Sequence, residues 1–555
     1  MTRRLIRNFP FHLHLLIIFT RYDFILIRVI KLSEIVKRIS NIREWLNNNE
    51  LDSLIIPHED EYLSEYIPPE NERLAWITGF TGSAGVAIIT KDNAAIFVDG
   101  RYTVQVKDQV DSNLYNILHL RDDPFMKWLQ ENAGTRLGYD PRLHRISWLK
   151  TARKELGEHV KLIPISENPI DLLWVDRPNG NTAENIILLE EKYTGESSIH
   201  KRKVLGQNIE ENKCTAAFLT QLDSIAWILN IRGNDVPCNP VLLCHGLLHS
   251  DGSFDLFIDE NRIPDGFHNH VGENVTVIAP DKIQERLTEL RGSIIQLDLN
   301  SSNLWSRNLI TESGSLIMEN NDPCALPKAC KNNVEIQGMK NCHIRDAVAE
   351  CEFLFWLDNE ITDGNLHDEG ILADKLNGLR SKQMDCKGLS FGTISAAGKN
   401  AAMCHYNHEN HKVPGKLIKD SVYLVDSGGQ YLDGTTDITR TVAVGEPSNF
   451  MKKAFTLVLK GHIALASAQF PEGIAGQHLD TLARQYLWHN GYDYDHGTGH
   501  GVGCYLNVHE GPHRIGKGSN SVPLKEGMVV SNEPGYYLEN EFGIRLENLI
   551  YVKFI

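Results

Sequence analysis

The first 213 residues contain no cysteine. The ten that follow, Cys214, Cys238, Cys244, Cys324, Cys330, Cys342, Cys351, Cys386, Cys404 and Cys504, include no Cys-x-x-Cys pair. In a chain of this length such scatter excludes a disulfide framework and reads as the reduced thiols of a cytoplasmic protein. Long apolar runs are missing too. Near the start, Leu13 to Phe19 is short, follows Arg3, Arg4 and Arg7, and is broken by Arg21, Asp23 and Arg28. A membrane span needs about 20 apolar residues, and a signal peptide needs a longer uninterrupted core with a small-residue cleavage site. Residues 1–32 therefore read as an extension, disordered or lying before the functional start, with an interfacial helix as the alternative. No long run of Lys or Arg suggests a basic patch, and 56 basic against 72 acidic residues gives a net charge of −16. That balance argues against nucleic acid as a partner, because phosphate binding needs a basic surface.

What is present is ordinary globular material, 42% hydrophobic and 23% charged over 555 residues. That length calls for three or four domains at about 150 residues each. From Leu32 onward the pattern is α/β. Ile35, Ile39, Ile42 and Leu46 lie at helical spacing, while Leu51 to Ile56, Val86 to Ile89 and Ala94 to Val98 read as strands. The acidic, Pro- and Gly-containing stretch His58 to Gly85 reads as a solvated loop. LAWITGFTG at Leu74 and IAWILNIRG at Ile225 are each followed by strand-like runs and then by IFVDGRY at Ile96 and LFIDENRI at Leu256. Two related α/β domains fit this faint repeat better than one large sheet, generic strand patterning being the alternative. The expected division is an extension at 1–32, domains at 33–165 and 166–325, and a third domain at 326–555. Within the last, Ile344, Val348, Cys351 and Phe355 mark an amphipathic helix. Phe450, Ala454, Leu457 and Leu465 mark another, and Leu479, Leu482, Ala483 and Tyr486 a third. Helices on one side of a mostly antiparallel sheet make this domain α+β.

The third domain carries the chemistry. Val422 to Thr441 reads VYLVDSGGQYLDGTTDITRT: an alternating strand into Asp426, a Ser-Gly-Gly turn signal, and a β-branched run with Asp437. Such a hairpin brings two carboxylates together. HGTGHGVG (His496 to Gly503), SNEPGYY (Ser531 to Tyr537) and FGIRLENL (Phe542 to Leu549) add His500, Glu533 and Glu547. Four buried carboxylates repel one another unless protons or metal neutralise them. Oxygen-rich ligation with one nitrogen suits Mn, Mg, Co or Zn. Each of these residues taken singly reads as a turn, an exposed charge or a structural group, and only the combination points to a divalent metal pair. Cys504, beside the cluster, reads as a small packing residue rather than a nucleophile, since the metal cluster supplies the chemistry.

These blocks, in this order, resemble the metal site of the pita-bread metallopeptidases, the family of aminopeptidase P, prolidase and methionine aminopeptidase. DSGGQYLDGTTDITRT, HGTGHGVGCYLNVHEGP and NEPGYYLENEFGIRLEN are most similar to the large three-domain aminopeptidase P type, and the likeness runs from about residue 33 to the end. The resemblance implies two creatinase-like α/β domains followed by a pita-bread domain. It implies two divalent ions per subunit, with Mn2+ the expected metal: Asp437 and Glu547 bridge both, Asp426 chelates one, and His500 with Glu533 completes the other. Hydrolysis would then use a hydroxide held between the ions, Glu533 passing a proton to the leaving nitrogen. It further implies that His405, His496 and His509 contact substrate and stabilise the oxyanion, His509 being the choice for the latter. In HYNHENHKVP, however, His408 and His411 rival His405, because the spacing to Asp426 is one residue longer than the family's. Arg545, on the same strand face as Glu547 in this reading, would orient or neutralise the carboxylates.

A bond before proline is a tertiary amide of restricted geometry, and the resemblance makes it the substrate: peptides with proline second, from which the first residue is released. The chain stops at Ile555, eight residues after Glu547, where the family's large members continue for several dozen residues. A truncated last domain is the expectation, with the family's homodimer weakened. Prolidase, restricted to dipeptides, is one rival, and the three-domain length argues against it. A metal-free creatinase-like amidinohydrolase is another, opposed by the full ligand set. A peptide-binding or interaction protein that keeps the fold without turnover is the third.

Overall fold

The computed structural model describes residues 33–554 other than 181–183, 185 and 412. The extension expected at 1–32 lies outside the described residues. A helix over 33–48 opens the first domain and buries Ile39, Ile42 and Leu46, the apolar stripe read from the sequence. The central strand of its six-stranded sheet, Ser53–Pro57, pairs antiparallel with Gly85–Thr90, which pairs antiparallel with Ala94–Val98. Asn116–His119 lies parallel at that edge, and Arg136–Tyr139 and Lys161–Pro164 extend the other side in parallel. Apolar clusters cover both faces, one around Leu54, Ile56 and Ile77, the other around Ile55, Phe97 and Tyr139. A mixed sheet with near-continuous apolar strands requires that two-sided cover.

The second domain repeats this plan. Ala216–Leu219, His245–His249, Phe254–Phe257, Val275–Ile278, Ile294–Leu297 and Leu316–Glu319 take the same order and the same relative directions. Trp76, in the helix Arg73–Thr78, and Trp227, in the helix Leu222–Leu229, each lie between the first and second strands of their sheets. Asp99 and Asp259 each follow the third strand. The faint sequence repeat is therefore a structural one. The second copy also holds the two-residue strand Ile231–Arg232, which pairs with Ile187–Leu188.

The C-terminal domain is α+β, and its strand pairings are antiparallel throughout. The helix Asn333–Thr362 opens it behind an Asn332–Glu335 capping box. The predicted stripe on this helix is on the wrong face. Ile344, Val348 and Phe355 are 66%, 47% and 73% exposed, while Met339, Cys342, Asp346, Ala349, Glu350, Phe353 and Leu357 are buried. The inner face is disguised by two acids, of which Asp346 accepts from the buried Arg380 at 2.5 Å. The other two predicted helices are Asn449–Ala466 and Gly476–Trp488, packed on each other through Gly461, whose missing Cβ would sit 2.1 Å from the Ala483 carbonyl oxygen.

Candidate metal centre

The hairpin that carries the first two acids is longer than its turn signal suggests. Ser421–Ser427 pairs antiparallel with Ile438–Val444, placing Asp426 opposite Thr439. Ser-Gly-Gly is no turn: beyond it Gly429–Tyr431 pairs with Gly434–Thr435, and the chain reverses at Leu432 and Asp433. Gly428 is needed because of the crowding there. A Cβ would lie 2.0 Å from the Thr436 carbonyl oxygen and 2.2 Å from Ser390 Oγ. Asp437 falls just before the second strand. His500 sits in Gly499–Gly501, Glu533 follows Val529–Asn532, and Glu547 lies between Phe542–Arg545 and Asn548–Tyr551. Thus Arg545 ends a strand that Glu547 does not share, yet both point into one interior through Thr439. Arg545 Nε donates to Thr439 Oγ1 at 3.2 Å, and that hydroxyl donates to Glu547 Oε2 at 2.7 Å.

All nine predicted residues, Asp426, Asp437, His500, Glu533, Glu547, Arg545, His405, His496 and His509, line one cavity of about 1110 Å³. Ligand atoms of Asp437, His500 and Glu547 lie within 4.8 Å of one another, and His500 Nε2 is 3.3 Å from Glu533 Oε1. Arg545 Nη2 donates to Asp426 Oδ2 at 2.5 Å, while Asp426 Oδ1 is buried without a partner. Burial, with Asp426 and Glu533 alongside, holds the Asp437 carboxyl far above the carboxylate range. Burial, with Asp437 and Glu533, does the same to Glu547. Burial likewise lifts Glu533 to about 7, opposed by Arg545 and aided by Asp426. Burial and the neighbouring His509 push His500 down to about 3, leaving a neutral imidazole lone pair. Three acids whose carboxyls burial and one another push up, an orphaned Asp426 oxygen and one neutral imidazole are the donor set a pair of hard divalent cations satisfies.

Around this core the histidines are held by neighbours. Burial and the Arg101 and Arg545 charges push His405 well below its ordinary range, and its Nδ1 lies 2.9 Å from Tyr102 Oη. His405 lines the cavity, whereas His408 and His411 are not among its lining residues. His496 Nε2 lies 2.8 Å from Tyr537 Oη, and that hydroxyl accepts from Arg545 Nη1 at 2.8 Å. Burial opposes the charge on His509, yet the Glu65 carboxylate at 2.7 Å raises it to about 9, so this ring is a cation. Cys504 is buried among apolar side chains, its thiol pushed far up by burial, as a packing residue requires.

The family resemblance places the His58 to Gly85 stretch near the active-site mouth, but the sequence reading named none of the first-domain residues that wall the site. Glu65, Tyr66, Arg101 and Tyr102 all line the cavity, Tyr66 stacking on His509 with ring centroids 6.1 Å apart. The His58 to Gly85 stretch is not a solvated loop: Asp60 is fully buried, its Oδ1 accepting from the Tyr62 and Ser64 amides, and Glu61 pairs with the buried Arg73 at 2.7 Å. IFVDGRY marks the repeat, but its Gly-Arg-Tyr also carries Arg101 and Tyr102 to the site. Gly100 permits this, since a Cβ there would meet Asp495 Oδ2 of the C-terminal domain at 2.3 Å.

A carboxylate cluster with one imidazole, set on antiparallel strands and roofed by the first of two tandem mixed-sheet domains, defines a metallopeptidase of the pita-bread kind. The family model of metallopeptidase family M24 matches residues 337–553, and that of the creatinase/prolidase N-terminal domain matches twice, over 38–173 and 176–335. The chain belongs to this family. It is 40% identical to a "Probable Xaa-Pro aminopeptidase P" of Laccaria bicolor, covering 93% of this chain and 82% of that one. It is 41% identical to a protein of the same name from Botryotinia fuckeliana, with 93% and 81% covered. Among solved structures, the X-prolyl aminopeptidase of Caenorhabditis elegans, described as a cytosolic enzyme with a di-nuclear active site, superposes with a TM-score of 0.85. It is 36% identical over 90% of this chain and 83% of its own. An Xaa-Pro dipeptidase from Bacillus anthracis shares the fold, with a TM-score of 0.53 at 23% identity, but spans 64% of this chain.

Proposed function

We propose that this chain is a metal-dependent Xaa-Pro aminopeptidase, releasing the first residue of peptides whose second residue is proline. The observation that carries the reading is the convergence of five ligand side chains with three histidines and Arg545 in one cavity roofed by the first domain. Asp426, Asp437, His500, Glu533 and Glu547 would hold two divalent ions, the oxygen-rich set suiting hard cations, of which Mn2+ is the one the family likeness leads us to propose. Bound there, such a pair supplies an activated water near neutral pH and an electrophile for the scissile carbonyl. Arg545 holds Asp426 in place and, through Thr439, orders Glu547. His509, kept cationic by Glu65, faces the charge that develops on the carbonyl oxygen. Glu533 moves the proton from the attacking water to the proline nitrogen as the bond breaks. His405 and His496, fixed by Tyr102 and Tyr537, position the peptide. The divisions near residues 165 and 325 and a cytoplasmic location, supported by ten free thiols, belong to the same reading.

The test is to purify the protein, measure bound metal, and assay Xaa-Pro-Xaa peptides beside Xaa-Pro dipeptides. Two equivalents of metal and release of the first residue from the longer peptides are expected. Turnover confined to dipeptides would make it a prolidase, and peptide binding without turnover would make it an interaction protein.

A further inference from the structure

A second cavity, of about 690 Å³, opens in the first domain. Five residues, Pro57, Glu59, Val86, Leu120 and Arg145, belong to its wall and to the wall of the catalytic cavity alike, so the two volumes adjoin. Beyond that junction the lining turns apolar, with Phe125, Met126, Leu143 and Trp148. Phe125 packs edge-on against the buried Phe97 with centroids 4.9 Å apart, and Trp148 lies 4.8 Å from the His144 ring, so the aromatic walls are pre-set. Met126 can adapt to different occupants. At the junction Arg145 is 45% exposed and pairs with Glu59 at 3.3 Å, while Lys127, Gln130, Thr151 and Glu155 add polar groups around the apolar walls.

We infer that this groove is a continuation of the substrate channel, a subsite for an apolar or aromatic side chain in the tail of a peptide bound at the catalytic cavity. The inference rests on the Xaa-Pro aminopeptidase reading and adds what that reading leaves open, which longer peptides are favoured. A peptide whose first two residues occupy the metal site must send its tail out of the cavity, advancing about 3.3–3.6 Å per extended residue. The adjoining groove offers that tail a cavity of ordinary ligand size whose aromatic and aliphatic walls are Phe125, Met126, Leu143 and Trp148. A dipeptide has no tail to place there, so the groove acts only on longer substrates.

The test separates binding from turnover. Peptides Ala-Pro-(Gly)n-Phe-Gly, with n from one to five, are made with the first peptide bond reduced to a methylene-amine, and each is compared by calorimetry with its Phe-to-Ala counterpart. At the length that reaches the groove, the phenylalanine peptide is expected to bind at least about tenfold more tightly, as burial of an aromatic ring dictates. Trp148→Ala removes the floor, and Thr151→Trp fills the groove from an exposed rim position without touching the core. Each should shrink the Phe/Ala ratio toward one. Equal affinities at every length, or a ratio that survives both substitutions, overturns the inference. Turnover of the unmodified peptides is measured separately. Its absence would strike the catalytic reading, while the calorimetric ratio would still decide the groove.

Discussion

The contact between Glu65 and His509 joins side chains 444 positions apart, and that between Tyr102 and His405 spans 303. Neither leaves a local signal. Motif spacing makes the metal ligands legible, because strand, turn and glycine-rich segment write their chemistry into neighbouring letters. Residues that a separate domain brings in are not so written, and an acidic loop such as HEDEYLSEY looks the same whether it faces water or an imidazole. The energetic consequence is testable on one residue. Glu65 overcomes the burial cost of the His509 cation, and Gln at this position keeps an acceptor but loses the charge. A charge-assisted hydrogen bond is about twice as strong as a neutral one. Glu65→Gln is therefore expected to lower kcat on Xaa-Pro-Xaa peptides about tenfold with little change in KM. Removing the donor altogether, as in His509→Ala, should cost about 10² or more in kcat. Steady-state kinetics checks both, and an unchanged kcat in Glu65→Gln would detach the first domain from catalysis.

At the scale of elements, the sequence showed that a helix lies near residue 350 but not which side of it faces in. Apolar periodicity selected Ile344, Val348 and Phe355, whereas the buried face holds Asp346 and Glu350, acids a hydrophobicity pattern counts as surface. Two neighbouring phenylalanines separate the alternatives. Phe353 is fully buried among Leu357, Leu372 and Leu376, and Phe355 is 73% exposed. Phe353→Ala is expected to cost about 3–5 kcal/mol and Phe355→Ala under about 0.5 kcal/mol in urea melts. The reverse order would return the helix to the face read from the pattern. The hairpin gives a second case, since Ser-Gly-Gly looks like a turn but is a crossing point. Gly428→Ala drives a methyl group into the Thr436 carbonyl and Ser390. A loss of about 1–3 kcal/mol is expected from such overpacking, together with less than two equivalents of bound metal as Asp426 and Asp437 move apart. Full stability with full metal loading would show that the hairpin adjusts freely.

Three domains become one molecule through polar junctions that no single segment discloses. Lys328 Nζ donates to Asp223 of the second domain at 2.5 Å and to Glu510 of the third at 3.1 Å, and Lys331 also donates to Glu510, the residue next to His509. His245 marks another junction, its ring 4.9 Å from Tyr62 of the first domain and packed against Phe218 and Trp305. Burial lowers the pKa of His245, and of His144, from 6.5 to about 4, and Nε2 of each is buried without a partner. A histidine whose folded pKa is depressed takes up protons in the unfolded chain first, so its contribution is fully present above pH 6.5 and is lost as pH falls toward 4. Both rings are nearly fully buried, and each should withdraw about 3 kcal/mol of stability by pH 4. Glu510, opposed by burial but held low by Lys328 and Lys331, adds a loss of the same sign further down the acid range. The share of stability these two rings supply, read by urea unfolding as the difference between the native protein and ring-for-ring variants, is thus expected to be flat above pH 7 and to be lost between pH 6.5 and 4. His245→Phe, which keeps an aromatic ring but cannot take a proton, should recover about 3 kcal/mol at pH 4 relative to its own value at pH 7.5. An equally steep fall in that variant would place the acid sensitivity elsewhere. Because Tyr62 leads into the segment that carries Glu65, peptidase activity in the native protein should fall with the same acid transition, and in His245→Phe that transition should move to lower pH.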